Sequence, residues 1–599
     1  MSTNTTETKT VLKGGEFLIK ESTYADVFTK DELTEEQKMF AQTAQDFIST
    51  RVHPNLQKID KQEPGLSVQL MHETAELGLL GASVPEEYGG MGVDVTTDTA
   101  INEEMGKGHA FAASYAAHTG IGTLPILYFG TTEQKNKYLP GLVDGSIKAA
   151  YCLTEPGSGS DALGAKSKAV LSEDGKNYIL NGQKMWITNG GFADIFTVFA
   201  KIDGDKFTGF IVDAKSEGIS LGSEEDKLGI KGSSTRQVFF QNVKVPVENV
   251  LGEIGKGHKI AFNVLNIGRY KLCVLALGGS KAATTTAIKY ANERIQFNVP
   301  ISSFGAIKHK LAEMAVKVYA CDAATYRAGG LIDNMIAGLV EKGTDRVQAK
   351  LIAAEEYSIE CAILKVFGSE VLDYVVDETV QVFGGTGFSE EYPAARAYRD
   401  ARINRIFEGT NEINRLLSVG QLVKKSMKGE VDLFTPAMAV QKELMSVPDF
   451  STGDSDDFFG PEKLALKNVR KAILMTAGAA VQKFMQALDK EQEVIMNIAD
   501  MLIELFVCES VLLRTEKAIS VKGQEACSLQ IDLTRTYISD ALERINLSGK
   551  HAIASFNEGD TLRIMLMGLK RFTKYEAYNT IAARRRIADK LIAENQYAF

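Results

Sequence analysis

The chain has 599 residues, 44% of them apolar and 24% charged, a composition typical of a folded protein with several domains. Its 67 basic and 77 acidic residues give a formal net charge of −10, which argues against a protein that binds nucleic acid. None of the six cysteines has C-x-x-C spacing and no H-x-x-x-H pair occurs. The sequence therefore predicts reduced core cysteines and no metal site.

The N-terminal region bears on where the protein works in the cell. Residues 1–50 contain no arginine but several acidic residues, which is unlike an organelle-targeting peptide, and no signal peptide is visible. Uncharged apolar stretches such as 472–481 are shorter than the ~20 residues needed to cross a bilayer. We therefore expect a cytoplasmic location.

In chain order, a tail precedes a helical domain. Residues 1–30 are polar and rich in threonine, and we predict a loosely held tail. The pattern becomes helical at Leu33, where Thr34 is a good N-cap, and it stays helical past the Pro/Gly-rich segment 84–94. This pattern predicts an N-terminal helical domain over residues 31–148.

A β domain interrupts the helices over residues 149–260. Two Asp-Gly pairs, at 174–175 and 203–204, lie between apolar runs and are typical of hairpin turns. A further β-type run, QVFFQNVKVP, closes the segment. The sequence therefore predicts an antiparallel β domain inserted between helical blocks.

Helical patterns return after residue 260. Residues 261–430 predict a helical bundle, 431–463 a polar and acidic linker, and 464–599 a C-terminal helical domain. The apolar stripes of 472–484 and 498–513 are too wide for a free-standing helix, so both must be buried. The predicted fold class is mainly α, with an inserted antiparallel β domain and a C-terminal helical domain.

Basic residues in the last block predict a charged outer face. They are Lys570, Arg571 and Arg584 to Arg586. Each basic residue near an anionic membrane surface contributes about 1 kcal/mol to binding. A peripheral membrane contact and an ordinary solvated face both fit this pattern, and the second is the more common.

Two familiar nucleotide-binding motifs are missing. No G-x-G-x-x-G follows a strand, and no G-x-x-x-x-G-K-[ST] occurs. The nearest segment, GEIGKGH at 252–258, is better explained as a turn. These absences argue against a Rossmann dehydrogenase and a P-loop enzyme.

Four segments could carry chemistry, and three of them have an equally plain structural explanation. YCLTEPGSGSD, at 151–161, places hydroxyl groups and glycines at a loop, which suits either a bound anion or a linker. KMWITNGG, at 184–191, holds the only tryptophan, whose indole could stack on a planar cofactor or fill the core. QVFGGTGF, at 381–388, is equally well explained as a helix C-cap.

The fourth segment, RIFEGTNEINRLL at 405–417, contains the strongest candidate for a catalytic base. Glu408 lies between Phe407 and Gly409, just before a predicted helix. A carboxyl group at a loop tip in an apolar setting favours a raised pKa and a general-base role. The alternative is a first-turn glutamate stabilised by the helix dipole, but Glu412 suits that role better.

Together, the four segments resemble the acyl-CoA dehydrogenase family, flavoenzymes that introduce an α,β double bond into acyl-CoA thioesters. The resemblance covers residues 30–425, and with Phe407 before the base and a long C-terminal block it is most like the very-long-chain branch. It implies FAD as the cofactor, fatty-acid β-oxidation as the role, an electron-transfer flavoprotein as the partner, and a homodimer.

The resemblance also implies individual site residues. Glu408 corresponds to the base, Phe407, Gly409 and Ser160 to substrate contacts, and Arg269 to an arginine near the adenine end of CoA. The residues implied to contact FAD are Tyr151, Cys152, Leu153, Thr154, Ser158, Gly159, Ser160, Trp186, Ile187, Thr188, Thr410, Asn411 and Glu412, with Arg294, Phe297, Gln381, Val382, Phe383, Gly384 and Gly385 donated by the neighbouring subunit.

Two further correspondences bear on the base and on chain length. Some family members carry the base just before the arginine that matches Arg269, but here that position is Gly268, which leaves Glu408 as the candidate. Ala113 and Ala117 stand where medium-chain relatives have longer polar residues. Small residues there favour a deep cavity and a long acyl chain, although ordinary alanine-rich helix packing explains them too.

Two other functions fit the same residues. One is an acyl-CoA oxidase, which performs the same dehydrogenation with O2 as acceptor. The other is a non-catalytic assembly factor that keeps the FAD site only as a remnant. The intact Glu408 and flavin segments argue against the second function, and the sequence does not separate the first from a dehydrogenase.

Overall fold

The computed structural model describes residues 11–444 and 457–599, and most of these residues are helical. Thr34 caps the first helix of the N-terminal domain, as predicted, because its side chain accepts a hydrogen bond from Gln37 N. The buried side chains of Phe47, Phe111 and Tyr115 contribute to the core of this domain. Its helices are α1 (Glu35–Phe47), α2 (Leu56–Asp60), α3 (Leu66–Glu76), α4 (Val95–Met105), α5 (Ala110–Ala116), α6 (Leu124–Phe129) and α7 (Thr132–Asp144).

The middle domain is an eight-stranded sheet in the order β6-β7-β3-β2-β4-β5-β8, with β1 beside β4. Its strands are β1 (Ala149–Cys152), β2 (Lys168–Leu171), β3 (Asn177–Thr188), β4 (Ile195–Ile202), β5 (Lys206–Asp213), β6 (Ile219–Leu221), β7 (Thr235–Pro246) and β8 (Val250–Leu251). Both predicted Asp-Gly turns join antiparallel neighbours, β2 to β3 and β4 to β5. The pairs β1–β4 and β2–β4 are parallel, so the sheet is antiparallel apart from these two pairs.

Long helices form the bundle that follows the sheet. Close packing is visible where α4 crosses the first of them, because a Cβ at Gly278 would lie only 1.8 Å from Glu103 O. The bundle contains α8 (Gly257–Glu293), α9 (Gly305–Glu341), α10 (Arg346–Glu356), α11 (Ser358–Phe383), α12 (Pro393–Ala401) and α13 (Asn411–Met427), with a short hairpin of β9 (Ile295–Gln296) and β10 (Val299–Pro300) after α8. All six cysteines are free and buried, as predicted.

The C-terminal domain folds back onto this bundle. It contains α14 (Phe434–Leu444), α15 (Gly460–Phe484), α16 (Gln492–Lys522), α17 (Ser528–Phe556), α18 (Gly559–Phe572) and α19 (Thr580–Glu594). Helices α16, α17 and α19 pack on α9, and α16 carries the buried apolar stripe 498–513. The other predicted stripe, 472–484, lies on α15, which packs on α16 and α17. Residues 431–463 were expected to form a linker, but α14 and the start of α15 are helical. Apolar side chains in this region, such as Val440, pack into the core. Residues 445–456 lie outside the described residues.

The predicted loose tail is wrong for residues 11–30. Phe17 and Leu18 are buried, and Phe17 packs edge-on against Phe506 of α16 with ring centroids 5.1 Å apart. Gly15 N donates to Glu360 Oε1 at 2.8 Å. The segment is therefore an arm held between the bundle and the C-terminal domain, partly by buried apolar side chains such as Phe17 and Leu18. Residues 1–10 lie outside the described residues.

A buried cluster of charges joins the C-terminal domain, the bundle and the arm. Glu509 of α16 accepts hydrogen bonds from Arg327 of α9, at 2.7 Å, and from Arg470 of α15. Both arginines also hold the arm, Arg327 through the Ser22 hydroxyl at 3.2 Å and Arg470 through Phe17 O at 3.0 Å. One carboxylate thus holds two buried cations together at the junction of three segments.

The basic residues near the C-terminus form the predicted outward face only in part. Arg584 is buried and pairs with Glu313 of α9 at 2.7 Å. Arg586 pairs with Asp532, also at 2.7 Å. Arg584 is therefore not part of an outward basic face, whereas Lys570, Arg585 and Arg586 are exposed.

One described helix, α8, is long and apolar enough to cross a membrane by length and composition. Two thirds of its apolar window is buried inside the protein. A central core helix has the same properties, and α8 occupies that position between α4 and α11.

Candidate active site

The candidate base lies on a strained loop between α12 and α13. Glu408 has φ of +60° and the following Gly409 has φ of +81°, two consecutive left-handed residues. A non-glycine residue in this region is uncommon and often marks a functional site. The turn directs the Glu408 side chain toward α8, where a Cβ at Gly268 would lie 2.8 Å from its Oε2 atom. Only a glycine at position 268 leaves room for this carboxyl group.

The Glu408 carboxyl group is poised to accept a proton near neutral pH. Its Oε2 atom is buried and has no hydrogen-bond partner within residues 11–444 and 457–599. Burial raises the pKa of Glu408 to about 7, while the positive charges of Arg269 and Lys365 act in the opposite direction. A base with a pKa near the working pH transfers protons most effectively.

The backbone of the base loop is held by two buried side chains. Asn414 Nδ2 donates to Gly409 O at 2.8 Å, to Thr410 O at 3.0 Å and to Glu408 O at 3.3 Å. Arg269 Nε approaches Glu408 O at 3.4 Å, and its Nη1 donates to Asn266 Oδ1 at 2.7 Å. The sequence analysis missed Asn414, although its position in the first turn of α13 fits such a role.

The position of Arg269 does not support its expected role at the adenine end of CoA, and that role stays a prediction. The residue is only 5% exposed and contacts the loop that carries the base. The base acts at the thioester end of the substrate, and the pantetheine arm of CoA separates that end from the adenine. Arg269 therefore supports the base loop and contributes positive charge beside it.

Asn411 and Thr410 begin α13 and are occupied by contacts inside the chain. Thr410 caps the helix by accepting from Ile413 N. The buried Asn411 side chain accepts from Lys365 Nζ at 2.7 Å and donates to Ser369 Oγ at 3.0 Å. The Asn411 side chain is therefore already hydrogen-bonded within the chain. The expected FAD contact would have to come from the backbone of the first turn of α13. Glu412 is exposed on the same turn.

A cavity of about 130 Å³ begins beside Phe407, the residue before the base. It runs along α8 from Leu275 to Thr286. Small apolar side chains form much of its wall: Ala112, Ala113, Ala276, Ala282, Ala283 and Gly279. Ala113 lines the cavity, whereas Ala117, at the start of the π-helix after α5, is buried and is not part of this lining.

The loop after β1 and the end of β3 come together on the sheet side of the site. Met185 N donates to Thr154 O at 2.9 Å. Lys184, with no exposed surface, pairs with Glu155 at 2.7 Å and donates to Leu153 O at 3.2 Å. This buried ion pair holds the loop against the strand. The sequence analysis named neither member of the pair, although both belong to the quoted motifs.

Trp186 points out of the fold rather than into the core. It is 54% exposed, its φ is +61°, and the β3–β7 register shifts between Lys184 and Ile187. A bulge of this kind redirects a side chain at a functional site. The indole is therefore available to stack on a planar ring, beside Thr188 at the end of the strand.

The hydroxyl of Tyr151 completes this side of the site. It is buried and lacks a hydrogen-bond partner in the described part of the chain. Burial raises the pKa of the Tyr151 hydroxyl, and the charge of Glu408 adds to the effect. Cys152, Leu153 and Ser158 are buried on the same loop, while Gly159 and Ser160 are exposed at its tip.

The residues expected to serve a neighbouring subunit lie far from the base of their own chain. Arg294 follows α8 and Gly268 lies 26 residues earlier on it, a separation of about 39 Å at 1.5 Å per residue. Arg294, Gln381, Gly384 and Gly385 are exposed, and Phe297 is 88% exposed. The expected contacts of these residues with the FAD of a neighbouring subunit stay a prediction.

Two residues of the Gln381 loop are not available for side-chain contacts. Val382 and Phe383 are buried, and the Phe383 ring stacks on Tyr290 with centroids 3.9 Å apart. Only backbone groups at these two positions could reach a cofactor of a second copy.

Comparison with known proteins identifies the family. Models described as the N-terminal, middle and C-terminal domains of acyl-CoA dehydrogenase match residues 34–146, 150–243 and 255–422. A second C-terminal acyl-CoA dehydrogenase model matches residues 468–571, beyond the region covered by the sequence motifs. The chain belongs to the acyl-CoA dehydrogenase family.

Individual relatives agree with this family assignment. A crystal structure described as acyl-CoA dehydrogenase complexed with FAD, from Bacillus anthracis, is 48% identical with a TM-score of 0.96 and covers 98% of this chain and 100% of its own. The very long-chain specific acyl-CoA dehydrogenase of Rattus norvegicus is 37% identical over 78% of this chain and 73% of its own length. A chain from a structure described as the electron transferring flavoprotein of Acidaminococcus fermentans is 36% identical, with a TM-score of 0.59 over 65% of this chain and 98% of its own.

The chemistry of the site fits a bound flavin. An exposed indole offers a flat surface, and the glycine- and hydroxyl-rich loop beside it offers donors for a polar ring edge. Two buried polar atoms, Tyr151 Oη and Glu408 Oε2, face the site without partners among the described residues. Unpaired buried groups of this kind are costly unless a ligand or water meets them.

Proposed function

We propose that this acyl-CoA dehydrogenase uses FAD to oxidise long-chain acyl-CoA thioesters to trans-2-enoyl-CoA, with Glu408 as the base. The observation that carries the proposal is the Glu408 carboxyl group, which is buried, has a pKa of about 7 and projects over Gly268, one residue after Phe407 in the wall of a largely apolar cavity. In this reaction Glu408 takes the α-proton of the thioester. FAD, when bound, accepts the hydride that leaves Cβ, and the Cα–Cβ double bond forms.

The base loop also stabilises the developing enolate. Among the described residues, none accepts a hydrogen bond from the backbone N–H of Glu408. This N–H is therefore free to donate to the thioester oxygen as negative charge builds on it. Asn414 and Arg269 fix the same loop through its carbonyl groups, so the donor is held in place before the substrate binds.

The cavity beside Phe407 supports a long acyl chain. Its alanine and glycine lining follows α8 from Leu275 to Thr286 and encloses about 130 Å³. Each buried methylene contributes about 0.8 kcal/mol, so a long apolar cavity favours substrates that fill it. The similarity to the very long-chain enzyme of Rattus norvegicus agrees with this proposal.

Filling the cavity is expected to shorten the preferred chain. Ala113→Gln places a longer polar side chain in the wall and should lower kcat/KM for hexadecanoyl-CoA at least about tenfold, with little effect on octanoyl-CoA. The measurement is the steady-state rate against chain length with an artificial acceptor. Ala116→Gln, on the same short helix but outside the lining, is the matched control. Equal losses for both substrates would contradict a long-chain cavity at this position.

An electron-transfer flavoprotein is the proposed electron acceptor. The support is the similarity to a chain from the electron transferring flavoprotein structure of Acidaminococcus fermentans. An oxidase with the same base would instead pass electrons to O2, and hydrogen peroxide production in air during turnover would identify it.

A homodimer is the proposed assembly, because Arg294 and the Gln381 loop lie too far from the base of their own chain to serve its flavin. Large apolar side chains are exposed beside Arg294, including Ile295 at 52% and Phe297 at 88%. Exposed apolar groups gathered in one place mark an interaction surface.

Loss of Arg294 is expected to weaken FAD binding across the subunit interface. Arg294→Ala removes a charged hydrogen bond to a phosphate and should raise the Kd for FAD about ten- to a hundredfold. Flavin content after gel filtration, together with the mass of the particle, measures the effect. Arg563→Ala, at an exposed position on α18, is the control. A monodisperse monomer with full flavin occupancy would overturn the proposed assembly.

A further inference from the structure

A buried lysine lies close to the base without an ion-pair partner. Lys365 of α11 has no exposed surface, and no described carboxylate lies within 4 Å of its Nζ atom. Fully buried lysines are almost always paired with a negative charge. Burial lowers the pKa of Lys365 to about 7, and the more distant charges that face it are Glu408, Glu412 and Glu370, opposed by Arg269.

The amino group of Lys365 is instead held by an amide. Its Nζ atom donates to Asn411 Oδ1 at 2.7 Å. Asn411 is itself fixed, since its Nδ2 atom donates to Ser369 Oγ and to Glu370 Oε1, both at 3.0 Å. Asn411 opens α13 only three residues after Glu408, so the same turn carries the base and anchors the lysine.

This arrangement has a clear electrostatic consequence for Glu408. Groups from three elements face the base: the charged Arg269 from α8 and Lys365 from α11, and the neutral hydroxyl of Tyr151 from β1, whose pKa the charge of Glu408 helps to raise. A cation in direct contact would hold the carboxylate ionised but would make it a weak base. The Lys365 ammonium group is hydrogen-bonded to Asn411 and does not contact Glu408 directly. Its charge therefore favours the carboxylate form of Glu408, and the carboxylate remains able to accept a proton.

We propose that Lys365, anchored by Asn411, is a positioning residue that keeps Glu408 deprotonated and ready to take the α-proton of the substrate. This inference rests on the proposed role of Glu408 as the base. Lys365 acts through the field at the carboxyl group and does not touch the reacting atoms.

The test compares three variants of the holoenzyme across pH. Lys365→Met removes the charge at similar volume, Asn411→Ala removes the acceptor that stabilises the charged lysine, and Lys350→Met is the matched control. Lys350 is also a buried lysine whose pKa is lowered by burial, to about 8, but it donates to Ser83 O and Val93 O. The readouts are the pH profile of kcat/KM and the infrared carbonyl band of protonated Glu408, assigned by its absence in Glu408→Gln.

We expect the acid limb of the Lys365→Met profile to move about one unit to higher pH. At pH 6 that shift lowers kcat/KM about tenfold, and at pH 9, where the lysine is neutral in the wild type, the change should stay within about twofold. Asn411→Ala should move the limb in the same direction by less. Lys350→Met should leave it in place.

The outcomes separate this inference from the proposed function. If Glu408→Gln is inactive but neither Lys365→Met nor Asn411→Ala moves the acid limb or the infrared titration, the role of Lys365 is overturned while the base stands. If Glu408→Gln keeps most activity, the proposed base fails first. Should Lys365→Met fail to fold, Asn411→Ala and the infrared titration, which needs no turnover, still decide the question.

Discussion

Replacement of Glu408 by glutamine should leave a folded, yellow protein whose flavin is reduced by acyl-CoA about 10²–10⁴-fold more slowly. Glutamine has nearly the same volume, so the fit over Gly268 is preserved. It cannot accept the α-proton, and a positioned general base contributes a factor of this size. Stopped-flow absorbance of the flavin after mixing with substrate measures the rate directly.

A second buried glutamate provides the control for this substitution. Burial also raises the pKa of Glu360 to about 7, but its carboxyl group accepts from Gly15 N of the N-terminal arm. Glu360→Gln keeps that acceptor and should reduce flavin at the wild-type rate. If Glu408→Gln stays within about tenfold of wild type, Glu408 is not the base.

Glu408 could be proposed as the base from the sequence because it belongs to a short contiguous motif. Glu408, Phe407 and Gly409 are neighbours in the chain, and their order is specific enough to suggest chemistry. Gly268 became informative only beside that motif, and the structure gives the steric reason: its missing Cβ is the space the carboxyl group needs. A local pattern combined with one resemblance was sufficient for the centre of the site.

The surroundings of the base could not be predicted in this way. Lys365 lies 43 residues before Glu408, inside an apolar helix, where a single lysine is ordinarily placed at the surface. Its position near Glu408 depends on how α11 packs against α13. The spacing of apolar residues along a sequence does not show how two helices pack against each other. The contact of Arg269 with the base loop was missed for the same reason, because its partner is a backbone carbonyl 139 residues away.

The order of helical and β domains was predictable, and the path of the arm was not. Asp-Gly turns and amphipathic stripes are local signals, and both Asp-Gly turns join antiparallel strands as expected. The arm is held by a few buried apolar side chains, such as Phe17, and also by its backbone. Phe17 O, for example, accepts from Arg470, and Gly15 N donates to Glu360. Backbone groups are the same in every sequence, so the amino-acid composition does not reveal which backbone groups are buried and hydrogen-bonded.

The largest expected loss of stability follows from removing Glu509, the carboxylate between Arg327 and Arg470. Both arginines are nine-tenths or more buried, so Glu509→Ala leaves two cations without their counter-ion in the core. Breaking a buried ion pair from one side costs about 3–5 kcal/mol, because the remaining charge cannot regain water. The apparent free energy of unfolding in denaturant should fall by that amount.

A substitution on the same helix separates this effect from a general weakening of α16. Glu516 pairs with Lys463, whose side chain is 45% exposed, so water replaces the lost contact in Glu516→Ala and the expected cost is at most about 1 kcal/mol. Arg327 and Arg470 also hold the arm, so Glu509→Ala should loosen it. Residues 11–30 should then be the first site that a protease cleaves under limiting conditions. Glu408 and the flavin segments should keep their geometry. The contrary outcome is that the two variants unfold at equal denaturant midpoints, with the arm still protected from proteolysis. That result would show that apolar contacts hold the C-terminal domain in place and that the buried charges contribute little.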